Sequence, residues 1–374
     1  MARHLRILAH LTDGESPYRE TLEHNFPKVP NYFPHEDWPY ERLAAASPDV
    51  FYCAPPCAPW SRSGGRGLKI DTDPRVDKVG HVLEAGLQIQ PRIWVMESVP
   101  QMYEWTRDFV QLIENAWLEK GYSVTHFFSN YLLHATPQNR PRYHLIAHQV
   151  PLDFPAVNPT VVTVRDAIGD FGKPAPEEII NHIDVGRYGW LLPYTPPGGR
   201  LRKAYRHLAG MPPGSENRSG SIGGPPFMLA RLRWEAPCLT LVSVPRRFHP
   251  DGERLLTVRE CLAVSGFNDF PEFELVGRTE EEKCRQIPKG VLPPLGEYLG
   301  DLAVRSLSSG RRIKKPSVSV VDYRPQADMI MRRIPKPQRF NSEHFGTMPH
   351  FKHPDHRPSF GIGDADDYDL DELE

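Results

Sequence analysis

Five short apolar runs recur along the first 150 residues, at 5–11, 49–53, 93–97, 123–129 and 143–148. Segments of helical length lie between them at 16–25, 76–89 and 102–120. Runs this short, bounded by Pro, Gly and charged residues, read as strands rather than buried helices. Strands that alternate with helices need crossover connections, which puts helices on both faces of a largely parallel sheet. Residues 1–150 are therefore expected to form an α/β sheet domain. In open sheets of this kind, reactive groups collect beyond the carboxyl ends of the strands, and those ends are where chemistry is to be sought.

The second run ends in Ala54-Pro55-Pro56-Cys57 and continues as Ala58-Pro59-Trp60-Ser61-Arg62-Ser63-Gly64-Gly65. The prolines make a rigid turn that presents one thiol beside a polar, Gly-rich loop, as a nucleophilic cysteine requires. Taken alone, the same segment also fits a small buried cysteine in a Pro-rich turn. The third run stops at a carboxylate, Glu97, before Ser98-Val99-Pro100; alone, that is equally a solvated strand end. In Gln138-Asn139-Arg140-Pro141-Arg142 the two arginines have period-two spacing and share one side of an extended segment. Paired guanidiniums suit phosphate or base-carbonyl contacts, although an exposed basic edge strand has the same pattern. Further on, Thr257 and Glu260 have capping-box spacing, and Gly266 stops the short helix they begin.

Taken in order, the Pro-Cys loop, Glu97-Ser98-Val99, Gln138-Asn139-Arg140-Pro141-Arg142 and Leu256-Thr257-Val258-Arg259-Glu260 resemble the DNA cytosine-5 methyltransferase family, over about residues 5–305. Thr163-Val164-Arg165-Asp166 resembles the family's connector into its small domain. The resemblance implies a Rossmann-like methyltransferase sheet domain, followed by a smaller, loop-rich DNA-recognition domain. It also implies that Cys57 adds to carbon 6 of a cytosine flipped out of the duplex, while Glu97 hydrogen-bonds or protonates ring N3. Arg142 would hold the base carbonyl and Arg140 would orient neighbouring groups. S-adenosylmethionine would be the methyl donor and DNA the partner. Ser61, Arg62 and Arg66 in the loop, and Arg246, Arg247 and Arg259 further on, are expected to contact DNA.

The cofactor half departs from the family pattern. Members begin with a strand and a Phe-x-Gly-x-Gly loop, whereas the first strand here leads into Thr12-Asp13-Gly14. In the register that follows, Asp13 falls where an acidic residue binds ribose hydroxyls, Asp37 near the adenine amine, and Pro55 along the cofactor. The family's Gly-Asn-Ala-Val-Pro-Pro is replaced by Lys289-Gly290-Val291-Leu292-Pro293-Pro294. Three readings stay open: a second subunit supplies the strand and glycine loop, the chain binds cofactor in a divergent way or is read from too late a start, or it is an inactive homologue that binds DNA. An RNA cytosine-5 methyltransferase on the same fold is a further alternative.

From about residue 151 the texture changes to Pro- and Gly-rich turns. The expected organisation is a small target-recognition domain over 151–285, a returning helix over 286–306, and a disordered tail over 307–374 that ends in a run of acidic residues. The formal net charge of −2 does not announce a nucleic-acid binder. Its distribution is more telling: Arg200, Arg202, Lys203 and Arg206 form one basic cluster, and Arg231, Arg233, Arg246 and Arg247 another. Five scattered cysteines argue for a reducing cytoplasm and against disulfides or a zinc site. No long apolar run suggests a membrane span.

Overall fold

The computed structural model describes residues 5–12, 18–61, 72–157, 160–180, 188–208, 228–242 and 246–336. Its strands are β1 (His10–Leu11), β2 (Asn31–Tyr32), β3 (Val50–Cys53), β4 (Ile93–Ser98), β5 (Ser123–Asn130), β6 (Gln138–Asn139), β7 (Pro141–His148), β8 (Ala230–Arg231), β9 (Cys238–Leu239), β10 (Arg247–Phe248) and β11 (Val318–Asp322). Five of them form the central sheet, in the order β11-β5-β7-β4-β3. β7 runs antiparallel to β4 and β5, while β3 lies parallel to β4 and β11 parallel to β5.

β4 and β5 are buried at every position, including the polar residues Ser123, Thr125, His126, Ser129 and Asn130 of β5. Against one face lie α3 (Asp77–Ile89), α4 (Pro100–Trp105) and α5 (Arg107–Glu119), the last two preceded in the chain by α1 (Tyr18–Asn25) and α2 (Tyr40–Ala45) near the N-terminus. There Val79, Met102, Val110, Ile113 and Trp117 meet Trp94, Met96, Val124 and Leu145 of the sheet. Gly86 permits this approach: a Cβ at that position would lie 2.5 Å from Trp94 Nε1. On the opposite face, Ile93, Val95, Phe127 and Ile146 pack with Val164, Leu241, Val258, Leu295 and Leu299. That core takes residues from both sides of position 150, so the region that follows residue 150 rests directly on the sheet.

Three expectations need correction. The strand expected at 5–11 pairs only at His10–Leu11, in a separate two-stranded parallel sheet with β2. The helix expected over 102–120 is two, broken at Thr106, which has φ −135° and ψ 52°. Thr106 Oγ1 donates to the Met102 carbonyl at 2.6 Å and accepts from Trp60 Nε1 at 3.0 Å, so the break is held by side-chain bonds. Finally, the tail expected to be disordered from 307 is folded as far as residue 336. β11 closes the β5 edge of the sheet, and the helix Arg324–Arg333 buries Ala327 and Ile330 against Leu132 and Leu133. Composition averaged over the whole tail hid a five-residue β-rich segment, Val318-Ser319-Val320-Val321-Asp322, for which a sheet edge was waiting. Residues 337–374, with the acidic run and His350, His353 and His356, lie outside the described residues, as does the Gly/Ser-rich stretch 215–226.

Candidate active site

Cys57 lies four residues beyond the end of β3 and opens the 3-10 turn Ala58–Trp60. Pro55 and Trp60 are buried and anchor the turn, and Trp60 N donates to the Cys57 carbonyl at 3.1 Å. Cys57 itself is only partly buried. The other four cysteines are buried; burial pushes the Cys53 thiol well up, with the Glu97 charge adding to the effect. Among the five, Cys57 alone combines a fixed backbone with access.

Glu97 is near the carboxyl end of β4, directly opposite His144 in the ladder with β7. Its Oε1 lies 2.5 Å from Arg142 Nε in an ion pair whose side chains are 5% and 7% exposed, respectively. Burial raises the Glu97 carboxyl above the ordinary glutamate range, against the opposing pull of Arg142 and Arg140. Arg142 also donates from Nη1 to the Pro141 carbonyl at 2.8 Å.

Arg140 is 2% exposed. It donates from Nη2 to the Pro288 carbonyl at 2.6 Å and from Nη1 to the Leu241 carbonyl at 3.4 Å, and it stands over the Tyr131 ring at 5.7 Å. Burial lowers its pKa, with Arg142 adding to the effect. Arg140 and Arg142 both lie within electrostatic reach of Glu97 and of Cys57. The strand ends therefore bring together the four side chains that the sequence separates by up to 85 positions. The resulting cluster has one accessible thiol, one buried carboxyl and two guanidiniums, a set suited to adding a nucleophile to a polar ring while managing the charge that develops.

Neighbouring segments lock this arrangement. Gln138 accepts from Leu241 N at 3.3 Å and donates toward Ser265 Oγ at 3.4 Å, which ties the arginine strand to the chain around 241 and 265. The expected capping box is present: Thr257 Oγ1 accepts from Glu260 N at 3.2 Å, and Thr257 N donates to Glu260 Oε2 at 2.9 Å. Glu260 also takes both Arg254 Nη donors at 2.7 Å. Gly266 has φ +81° after that helix, as its stop position requires.

The remaining expected contacts are more dispersed. Asp37 is exposed in a short turn after β2, and Ser61 is partly buried, donating to the Ala58 carbonyl at 3.2 Å. Arg259 is exposed with its guanidinium 4.0 Å from the Phe171 ring centroid. Arg246 is partly buried. Arg247 is buried and donates to the carbonyls of Met228 and Thr240, so its guanidinium braces the segment that carries Arg246. Asp13, Arg62 and Arg66 lie outside the described residues. Two site neighbours went unmarked in the sequence reading. Tyr52 shares period-two spacing with Val50 on the strand before Cys57, and Tyr131 accepts from Leu292 N at 3.0 Å. The position of Tyr52 on that strand was a usable signal; Tyr131 gave none.

Residues 12–304 match the family model described as C-5 cytosine-specific DNA methylase. The chain is 28% identical over 245 residues to Type II methyltransferase M.MthTI of Methanothermobacter thermautotrophicus, covering 59% of this chain and 69% of that relative. It is 26% identical over 263 residues to Type II methyltransferase M.PspPI of Psychrobacter sp. (strain TA137), covering 65% and 62%. Its span is thus about two thirds of the length of these curated relatives. The fold is similar to that of the Entamoeba histolytica methyltransferase EhMeth, with a TM-score of 0.56 at 14% identity over 80% of this chain and 90% of that one. It is also similar to the S. pombe Dnmt2 methyltransferase, with a TM-score of 0.55 at 13% identity over 81% and 92%.

Proposed function

The chain belongs to the C-5 cytosine-specific DNA methylase family, and from that premise we propose that it transfers a methyl group to carbon 5 of cytosine in DNA through a covalent Cys57 adduct. The observation that carries this reading is the buried Glu97–Arg142 pair, with a partly exposed Cys57 within electrostatic reach of both arginines. The Cys57 thiolate adds to carbon 6 of the flipped base, and the ring electrons shift so that carbon 5 becomes nucleophilic. Glu97, protonated, donates to ring N3 as that electron density builds, and Arg142 holds the base carbonyl. Once carbon 5 carries the methyl, loss of its proton to a base expels the Cys57 sulfur as thiolate, and N3 returns its proton to the Glu97 carboxylate, which restores the aromatic ring.

S-adenosylmethionine, when bound, supplies an electrophilic methyl on a sulfonium. Two described residues suit it: the exposed Asp37 carboxylate can accept from an adenine amine, and the buried Pro55 offers an apolar wall; Asp13, outside the described residues, is assigned the ribose hydroxyls. Ser61, Arg62, Arg66, Arg246 and Arg259 are assigned to DNA contacts, with Arg247 supporting Arg246. The Type II names of the relatives support a role in restriction–modification.

The edge of the sheet favours a further element of this reading. Among the described residues β3 is bonded only to β4, and β1 pairs only with β2. Yet Leu11 beside β2 and Phe51 on β3 pack against one cluster of Trp38, Ala85 and Ile89. We propose that a parallel strand carrying a glycine loop joins the open edge of β3, supplied by a preceding stretch of the polypeptide or by a second subunit.

The test is transfer of tritiated methyl from S-adenosylmethionine to duplex DNA, together with trapping on 5-fluorocytosine DNA. Wild-type protein is expected to label DNA and form a denaturation-resistant adduct, and Cys57→Ser to do neither. Label appearing in tRNA but not in DNA, or undiminished by Cys57→Ser, would overturn the proposal. Full activity of the isolated chain would remove the second subunit.

A further inference from the structure

Tyr52 presents a donor without an acceptor. Its hydroxyl oxygen is buried and has no hydrogen-bond partner among the described residues. A buried polar group in that state is costly unless another state of the protein satisfies it. Tyr52 stands opposite Val95 in the parallel β3–β4 ladder, and Glu97 is two residues beyond Val95 on the same face. Val50, Tyr52 and Val95 pack into one core while Phe51, Cys53 and Met96 pack into the other, which places Tyr52 and Glu97 on a common side of the sheet. Diagonal neighbours on adjacent strands are about 7–8 Å apart, within reach of an aromatic side chain.

Of the other groups around Glu97, most already have partners, while both His144 ring nitrogens, like the Tyr52 hydroxyl, have none among the described residues. Arg142 is bound to it at 2.5 Å, and Arg140 donates to the Pro288 and Leu241 carbonyls. His144, opposite Glu97, stacks on Phe127 of β5 with ring centroids 5.6 Å apart. Tyr131 has its oxygen on Leu292 N, Cys53 donates to the Val95 carbonyl at 3.4 Å, and Cys57 is assigned to the ring. If Arg142 is to hold the base carbonyl, as the proposed function requires, its donors are shared between the base and Glu97 when the base enters. The carboxyl can then take another donor.

We infer that Tyr52 is a positioning residue that donates its hydroxyl to Glu97 when the base engages Arg142. This rests on the proposed role of Glu97 and Arg142. It gives Tyr52 a function that acts through Glu97 and fixes the carboxyl's orientation and protonation during the reaction. A hydrogen bond to the charged carboxylate lowers its pKa, so losing that bond raises it, by about one pH unit for a bond of ordinary strength to a charged group. Because protonated Glu97 is the acting form, activity falls as pH rises through that pKa.

The experiment compares the pH dependence of single-turnover methyl transfer to duplex DNA by wild-type protein and Tyr52→Phe. Tyr52→Phe is expected to melt no lower than wild type and to bind DNA equally, with the alkaline limb of its rate profile moved up by about one pH unit. A second measurement needs no turnover: 13C-carboxyl titration of Glu97 in the free protein, comparing Arg142→Gln with Arg142→Gln/Tyr52→Phe. With Arg142 removed, Tyr52 should already engage Glu97, and the double variant should titrate about one pH unit higher. Superimposable rate profiles, or equal titrations of the two Arg142→Gln proteins, would overturn the role of Tyr52 while leaving Cys57 chemistry intact. Absence of methyl transfer and of a trapped adduct in wild type would instead strike the proposed function and this inference together.

Discussion

Replacing Arg142 by Ala should expose the energetic balance on which the site depends. The Glu97 and Arg142 side chains are 5% and 7% exposed and in contact at 2.5 Å. Removing one partner of such a pair leaves the other charge buried and uncompensated, a loss of about 3–5 kcal/mol. Glu97 has a partial escape, because it can take up a proton. Burial already raises its pKa against the pull of Arg142 and Arg140, and without Arg142 that pKa rises further. A folded-state carboxyl pKa above the unfolded value means that the folded protein binds more protons. Its penalty is therefore absent below the unfolded glutamate range and grows as pH rises toward the folded pKa. Each pH unit across that window changes the penalty by about 1.4 kcal/mol. Urea unfolding of wild type and Arg142→Ala at pH 8 and pH 5 is the assay. The difference between the two proteins should be about 3–5 kcal/mol at pH 8 and smaller by about 1–2 kcal/mol or more at pH 5. Adding Glu97→Gln to Arg142→Ala should recover much of the loss at pH 8 and flatten the pH dependence. A difference below about 1 kcal/mol, the scale of an exposed pair, or one that does not change with pH, would refute the claim that this is a buried, proton-linked carboxyl.

Other outcomes follow from the elements around the site. Glu260→Ala removes the Thr257 cap bond and both Arg254 bonds and should cost about 2–3 kcal/mol in urea unfolding. Burial works against the Glu260 charge, but Arg254 and the Thr257 N–H outweigh it and hold the pKa low, so this contribution should be lost as pH falls through the carboxylate range. Gly266→Ala places a Cβ 2.6 Å from Pro294 Cγ at φ +81°; a loss of about 1–3 kcal/mol is expected, and an unchanged urea midpoint would contradict the geometry. Ending the chain after residue 316 strips β11 from β5 and should yield protein that aggregates or melts markedly lower, measured by light scattering and thermal unfolding. Cys53→Ser should retain methyl transfer where Cys57→Ser loses it, since the Cys53 thiol is buried and donates to the Val95 carbonyl.

Much of the sheet was legible because its strands are short and bounded by Pro, Gly and charged residues, and four of the five expected runs are strands within a residue or two. Legible too were the capping box at Thr257 and Glu260, a local pattern with a local geometry. The break at Thr106 was not, because it depends on a bond to Trp60, 46 positions away. Nor was β11: five residues of modest β character become a strand only where β5 presents an open edge. Arg247 illustrates the same limit, since a basic residue in a basic stretch reads as a surface contact until its surroundings show carbonyls converging on it.

The amino-acid order alone determined which groups are available and at which strand ends they stand: a thiol after Pro55-Pro56, a carboxylate closing an apolar run, and two arginines in period-two register. Those follow from backbone rules that act over a few residues. Only the tertiary structure decided that Glu97 and Arg142 share one buried ion pair, that Arg140 is held by the Pro288 and Leu241 carbonyls, and that Tyr52 faces the same side with its hydroxyl unanswered. Burial sets the strength of charge interactions, and burial belongs to the packed assembly of strands rather than to any one of them.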